Sequence, residues 1–177
     1  MTLKFVLAPD SFKDSASANE ICEAMEEGIR RVFPHSNVLH VPMADGGEGS
    51  TIAIVNATGG QFIRKTVQGP LGEEVEATIG IHGDGETAVI EMATASGIQL
   101  VPPADRNPYY TSTYGTGELI RYCLDEGITS IILCIGGSAT NDGGVGMAQA
   151  LGYQFKDQNG KEIKRGGIYL KDIVSID

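Results

Sequence analysis

The sequence has few cysteines and few basic residues, and both shortages narrow the possible classes of function. The three cysteines of the 177-residue chain, Cys22, Cys123 and Cys134, form no C-x-x-C pair and are set among apolar residues. They are typical of reduced core thiols rather than a disulfide framework or a structural zinc site. Thirteen basic residues against twenty-three acidic ones give a net charge of −10, which argues against nucleic acid or an anionic membrane as a partner.

Long apolar runs and the common nucleotide-binding fingerprints are also missing. The apolar stretch at residues 5–8 is too short for a signal peptide or a membrane span. Neither GxxxxGK[ST] nor a complete GxGxxG occurs, and the three histidines have no metal-ligand spacing. We therefore expect a soluble, cytoplasmic protein whose binding loops differ from the usual P-loop.

The most informative stretch runs from residue 128 to residue 151. An unbroken apolar run at residues 131–135 leads into a loop with five glycines, and residues 147–151 then open a helix. A strand that is apolar on both faces is typical of the interior of a parallel sheet, and such sheets bind ligands beyond the carboxyl ends of their strands. Because glycine lets backbone N–H groups approach a ligand, the pattern favours an anion site. An ordinary glycine-rich turn is the alternative.

The chain opens with a second unit of strand, loop and helix. The strand at residues 3–8 leads into a polar loop that contains Asp10, Ser11 and Lys13. A carboxylate and an ammonium at the end of a first strand suit a metal-phosphate site. Turn chemistry for Asp10 and Ser11, and simple solvation of Lys13, remain the alternatives.

Two helix starts can be predicted from capping residues. Ser17 and Glu20 match the S-x-x-E capping box and predict a helix that Pro34 ends. Thr116 is a plausible N-cap for a helix over residues 119–126.

A further glycine loop follows the predicted strand at residues 38–41. Three glycines surround Asp45 and Glu48, and residues 51–57 then indicate a helix. Carboxylates in such a loop could bind Mg²⁺ or accept a proton from a substrate hydroxyl. Capping of the helix by either carboxylate is the alternative.

The pattern changes to alternating apolar and polar residues between residues 61 and 92. Residues 75–81 and 87–90 flank the turn 82–85 and predict an antiparallel hairpin. The hairpin could start a second lobe or lie at the edge of a single sheet, and both readings stay open. Residues 93–113 are expected to be irregular, with prolines marking breaks.

Four blocks of the sequence, taken together and in order, resemble the signatures of the bacterial glycerate kinase family, the type associated with glyoxylate and with glucarate or galactarate breakdown. The blocks are VLAPDSFK at residues 6–13, PMADGGEG at 42–49, YGTGE at 114–118 and IGGSATNDGG at 135–144.

The resemblance implies an α/β fold with two lobes and an active site in the cleft between them. It predicts a parallel sheet flanked by helices and a second, partly antiparallel α/β lobe. Residues 1–60 would be part of a Rossmann- or flavodoxin-like first lobe, and residues 61–177 would belong to an incomplete second lobe. Family members are about twice as long as this chain, and their C-terminal signature blocks have no counterpart here, so the implied fold is truncated.

The resemblance also implies an activity. Such a kinase uses ATP and Mg²⁺ to phosphorylate D-glycerate in the cytoplasm, in this branch at the 2-hydroxyl to give 2-phosphoglycerate, with 3-phosphoglycerate as the alternative product.

Candidate roles follow from the positions of the blocks. Asp45 is the candidate general base or metal ligand, with Glu48 supporting it, and Lys13 is the candidate cation for a phosphate or the glycerate carboxylate. Asp10 and Asp142 are candidate Mg²⁺ ligands, although Asp142 could equally cap the next helix. The candidate substrate- and phosphate-binding residues are Ser11, Gly46, Gly47, Gly136, Gly137, Ser138, Thr140, Asn141 and Gly143.

Two readings from other classes stay open. The chain could be a non-catalytic lobe that binds a small anion or a nucleotide through the same loops. It could also fold by pairing with a second copy through an uncovered sheet edge, which would make it a homo-oligomer.

Overall fold

The computed structural model describes residues 2–12 and 15–177. These residues form two compact units, which divide between Asp45 and Gly46. We refer to residues up to Asp45 as the first unit and to residues from Gly46 onward as the second unit, and we describe each by itself.

The first unit contains two parallel strands and one helix. Strand β1 (Lys4–Leu7) pairs in parallel with β2 (Asn37–His40), and helix α1 (Ala18–Val32) connects them. The predicted capping box at the start of α1 is confirmed. The Ser17 hydroxyl accepts from the Glu20 N–H at 3.3 Å, and a Glu20 carboxylate oxygen accepts from the Ser17 N–H at 2.7 Å.

The second unit is built around one mixed sheet of four strands. The strands are β3 (Gln61–Gln68), β4 (Glu74–Ile81), β5 (Thr87–Glu91) and β6 (Ser130–Cys134), and they lie in the order β3-β4-β5-β6. The first three strands pair antiparallel, so the predicted hairpin is confirmed. The fourth strand, β6, runs parallel to β5. The strands of this hairpin, β4 and β5, are therefore the two central strands of the sheet.

The expected interior position of residues 131–135 is not found in the sheet that the described residues form. Strand β6 lies at an edge of the four-stranded sheet formed by the described residues, and Ile132 and Ile135 are 42% and 71% exposed. Apolar residues on both faces indicate that a strand is suited to burial. They do not determine how many neighbouring strands pair with it.

Four helices belong to the second unit. They are α2 (Ser50–Thr58), α3 (Ala93–Ser96), α4 (Tyr114–Asp125) and α5 (Val145–Ala150). Helix α2 packs closely on the sheet because Gly80 has no side chain: a Cβ there would lie 2.5 Å from Val55 and 2.7 Å from Thr51. This packing places α2 in the second unit, so the contact boundary comes before the expected boundary at residue 60.

Helix α4 starts earlier than its predicted cap. It begins at Tyr114, and Thr116 lies inside its first turn, where its hydroxyl forms a buried 2.8 Å hydrogen bond with the Ser96 hydroxyl. The prediction that Thr116 is an N-cap is therefore wrong. A hydroxyl suited to capping can instead bind a neighbouring element when tertiary packing brings one close.

The main core of the second unit lies between the sheet and α4. Its fully buried side chains include Ile79, Ile90 and Leu119, which are all 0% exposed. A smaller apolar cluster joins Val145 of α5 to Phe155 and Ile163. This cluster anchors the C-terminal segment.

The C-terminal segment is short and mostly irregular. It contains the antiparallel strands β7 (Phe155–Lys156) and β8 (Ser175–Ile176) and a 3₁₀ segment at Gly167–Asp172. None of the described helices reaches the length and apolarity needed to cross a bilayer.

Candidate functional site

The loop that connects to α2 is closed by its own backbone and by one serine. Gly46 and Gly49 adopt φ angles of +87° and +89°, a conformation that glycine adopts without steric cost. The Ser50 hydroxyl accepts a hydrogen bond from the Gly46 N–H at 3.1 Å. The loop is therefore folded back on the start of α2, and Glu48 is exposed on it.

This loop contacts the glycine-rich loop that follows β6. The Gly136 N–H donates to the Gly46 carbonyl at 3.0 Å. A Cβ on Gly136 would lie 2.7 Å from the Cα of Gly47, so a larger residue would force the two loops apart. Two of the sequence blocks are thus brought together by a backbone hydrogen bond.

A buried carboxylate that sequence reasoning missed holds the start of α2. Glu91, at the end of β5, is 6% exposed and accepts from the Thr51 N–H at 2.6 Å, in the first turn of α2. Burial raises the pKa of the nearby Cys134 thiol, and the Glu91 charge raises it further. A single acidic residue inside an apolar run was the available signal, because a buried acid needs a partner.

Asp142 holds the second loop together. It is 2% exposed, and one carboxylate oxygen accepts from the N–H groups of Thr113 at 2.8 Å and Gly146 at 3.2 Å. The other oxygen accepts from the Gly144 N–H at 3.1 Å, and the Thr113 hydroxyl lies 3.0–3.1 Å from both oxygens. Asp142 therefore joins the start of α5 to the start of α4.

The same loop presents a row of backbone donors. Within residues 2–12 and 15–177, six consecutive or nearly consecutive N–H groups of this loop donate no hydrogen bond to any described residue. They belong to Gly137, Ser138, Thr140, Asn141, Asp142 and Gly143. Backbone N–H groups without a partner inside the protein can donate hydrogen bonds to anionic groups such as phosphates.

The loop is held from its other side by residues that precede α4. The Ile98 N–H donates to Gly137 O at 2.9 Å, the Ala139 N–H donates to Ser96 O at 2.9 Å, and the Thr111 hydroxyl donates to Ala139 O at 2.8 Å. These bonds constrain the loop without using the six free donors. A cavity of about 310 Å³ lies beside it, with Ser138 and Thr140 in its lining.

The remaining sequence candidates lie in the first unit. Asp10 is exposed and accepts from the Ser11 N–H at 2.7 Å, as expected for turn chemistry. Asp45 is also exposed. Lys13 lies outside the described residues.

The carboxylates do not form a metal cage made only of protein ligands. No group of three or more histidine, cysteine, aspartate or glutamate side chains suited to a metal occurs in the described part of the chain. Mg²⁺ does not require such a cage, because it commonly binds one or two carboxylates together with waters and substrate phosphates. Exposed carboxylates such as Asp10 and Glu48 fit that chemistry.

Comparison with known proteins identifies the family. The profile of the glycerate kinase family matches residues 5–177. The chain belongs to the glycerate kinase family. It is 57% identical over 175 residues to a glycerate kinase from Haemophilus influenzae, a match that covers 99% of this chain and 46% of that protein. It is 54% identical over 175 residues to the glycerate 2-kinase of Escherichia coli K12, again over 99% of this chain and 46% of that protein.

The fold is that of the same family. The crystal structure of a "putative glycerate kinase 2" from Salmonella typhimurium LT2 matches with a TM-score of 0.85 at 52% identity, covering 100% of this chain and 47% of that one. This likeness confirms the expected α/β fold. The chain spans about half the length of the curated glycerate kinases that it matches.

Proposed function

We propose that this chain carries the phosphate-binding loops of an ATP-dependent kinase that uses Mg²⁺ to convert D-glycerate to 2-phosphoglycerate. The observation that carries the proposal is the row of six free backbone N–H groups beside Asp142, in a chain that belongs to the glycerate kinase family. Phosphoryl transfer depends mainly on positioning and on donors that neutralise the transferred charge.

The roles of the carboxylates follow from the proton that must leave the substrate. When a glycerate hydroxyl attacks the terminal phosphate, its proton passes to a base, and the phosphate leaves the nucleotide as ADP forms. We assign the base to Asp45, with Glu48, three residues later in the sequence, supporting it. Mg²⁺ would be bound by Asp10 and phosphate oxygens, where it would neutralise charge on the transferred group.

The main role that we propose for Asp142 is to hold the glycine-rich loop in place. Its carboxylate accepts hydrogen bonds from three backbone N–H groups and from the Thr113 hydroxyl. It would become a Mg²⁺ ligand only by giving up some of these hydrogen bonds. Lys13 remains the proposed cation of the first unit for a phosphate or a carboxylate.

Attack by the 2-hydroxyl is supported by the name of the Escherichia coli relative, a glycerate 2-kinase. Identification of the phosphorylated product distinguishes 2-phosphoglycerate from 3-phosphoglycerate. A binding-only chain is the second candidate, because the matched relatives are about twice as long.

The test is release of ADP by the 177-residue chain with Mg²⁺-ATP, in the presence and absence of D-glycerate, with identification of the product by NMR. We expect glycerate-dependent release, and we expect Asp45→Asn to lower turnover by about 10²- to 10⁴-fold, as is typical when a general base is lost. Asp125→Asn, an exposed change on α4, is the matched control.

Two results would argue against this assignment. Turnover by Asp45→Asn equal to that of the wild type would remove Asp45 as the base. A folded chain that binds Mg²⁺-ATP but releases no ADP with glycerate would favour the binding-only candidate.

A further inference from the structure

The cavity beside the glycine-rich loop contains a cation that sequence reasoning did not select. Arg106, Asn107 and Thr111 line it together with Ser138 and Thr140, and the side chains of the other lining residues are largely apolar. At about 310 Å³, the cavity is at the small end of the range of ligand sites, which is about 300–1,000 Å³. A small organic acid fits such a volume.

The guanidinium of Arg106 is available to a ligand. Its Nε donates to Val101 O at 3.1 Å, which fixes the plane of the group. Neither terminal nitrogen donates to, or forms an ion pair with, any residue in the described ranges. A guanidinium with free terminal donors matches a carboxylate, which it binds with two parallel hydrogen bonds.

Neutral polar groups line the same cavity. Asn107 Oδ1 accepts from the Tyr109 N–H at 3.1 Å, which leaves the Nδ2 donors without a partner among the described residues. The hydroxyls of Ser138 and Thr140 likewise have no recorded hydrogen bond within the described chain. The cavity thus combines one anion-binding group with hydroxyls that could bind the hydroxyls of a ligand.

The wall of the cavity that the glycine-rich loop forms is already held by hydrogen bonds. Thr111 binds Ala139, and the backbone bonds from Ile98 and Ala139 fix the loop that carries Ser138. A preformed site loses little entropy on binding, which improves affinity for a small ligand.

We propose that this cavity is the acceptor subsite, in which Arg106 binds the carboxylate of D-glycerate and the neighbouring hydroxyl and amide groups bind its hydroxyls. The choice of glycerate rests on the proposed function. The cavity shares Ser138 and Thr140 with the row of free N–H groups, so the bound acid would lie beside the donors assigned to phosphate.

The test is calorimetric titration of the 177-residue chain with D-glycerate at low ionic strength. We expect Arg106→Gln to weaken binding by about tenfold or more, because a hydrogen-bonded charge pair is lost. Arg64→Gln is the matched control: it makes the same change of net charge on an exposed residue of β3, outside the cavity lining. Arg106→Lys keeps the charge without the planar fork and should fall between the wild type and Arg106→Gln.

Two other ligands, glycerol and inorganic phosphate, test whether the site binds a carboxylate. Glycerol, which lacks the carboxylate, should bind weakly and equally to the wild type and to Arg106→Gln. Inorganic phosphate binding more tightly than D-glycerate through Arg106 would overturn the assignment to the carboxylate. Equal glycerate affinity in Arg106→Gln and the wild type, or no saturable binding by the folded wild type, would overturn the proposal itself.

Failure of the proposed subsite can be distinguished from failure of the proposed kinase activity. Arg106-dependent glycerate binding without ADP release would support the subsite while removing the activity. ADP release with an unchanged KM for glycerate in Arg106→Gln would support the kinase and remove the subsite.

Discussion

The first and second units differ in how completely they bury their apolar side chains. In the first unit, the buried hydrophobic residues among those described are Leu7 and Cys22, while Val32, Leu39 and Met43 are 69%, 45% and 51% exposed. In the second unit, eight buried residues form one continuous cluster between the sheet and α4. The two units follow the same order of strand, loop and helix at their candidate binding loops, so similar local patterns have produced very different amounts of core.

The difference shows that local signals can form a helix without providing it with a core. Helix α1 has a complete capping box and ion pairs at i,i+4 spacing between Glu26 and Arg30 and between Glu27 and Arg31. An N-cap contributes about 0.5–2 kcal/mol and each i,i+4 pair about 0.2–0.5 kcal/mol. A single strand pair is marginal by itself, so we expect the first unit to open at a lower free energy than the second.

The largest expected effect comes from the same truncation made in both units. Leu119→Ala removes a fully buried side chain from the core of the second unit and should lower the free energy of unfolding by about 2–5 kcal/mol. Leu39→Ala, at a site that is 45% exposed, should cost about 1 kcal/mol or less. Urea unfolding of both variants measures the difference. Equal costs would show that the first unit is packed as well as the second.

A smaller effect is expected when the buried carboxylate of the second loop is changed. Both oxygens of Asp142 accept from backbone N–H groups, so in Asp142→Asn the new NH₂ group faces a donor in either orientation. We expect a loss of about 2–3 kcal/mol in the free energy of unfolding.

The matched change in the first unit is Asp10→Asn. Asp10 is exposed, and its recorded bond is to the adjacent Ser11 N–H. Its stability should stay within about 0.5 kcal/mol of the wild type in thermal or urea unfolding. An Asp142→Asn variant as stable as Asp10→Asn would contradict the structural role assigned to Asp142.

The smallest expected effect is a difference in alkylation rate between two thiols that are equally buried in the structure. Cys22 in the first unit and Cys123 in the second are both 0% exposed, and burial raises the pKa of each thiol. Alkylation of the folded chain therefore requires local opening. We expect Cys22 to react about tenfold faster than Cys123, as measured by mass spectrometry of labelled peptides under native conditions. Equal rates would indicate that the two units open together.

Much of the fold was predictable because its signals are local. The capping box of α1 and the hairpin of β4 and β5 depend on residues close together in sequence. The edge position of β6 was not predictable, because pairing depends on segments far away in the chain. Thr116 was misread for the same reason: its partner, Ser96, lies twenty residues earlier.

The candidate site shows the same division. The glycine loops and their polar residues were identified from the sequence, because glycine and short polar side chains have few other reasons to cluster. The roles of Glu91 and Arg106 were not identified. Glu91 becomes a helix-capping group only when β5 lies next to α2, and Arg106 becomes a candidate ligand-binding group only when its loop lies beside Ser138.

The sequence by itself determined the family, the loops and the local starts and ends of several elements, because these depend on residue types at short spacing. Only the tertiary structure decided that the loops at Gly46 and Gly136 contact each other, that Asp142 is buried among N–H donors, and that Arg106 lines a cavity. The physical reason is that contacts, burial and free donors depend on which distant segments pack together. Spacing along the chain does not specify that packing.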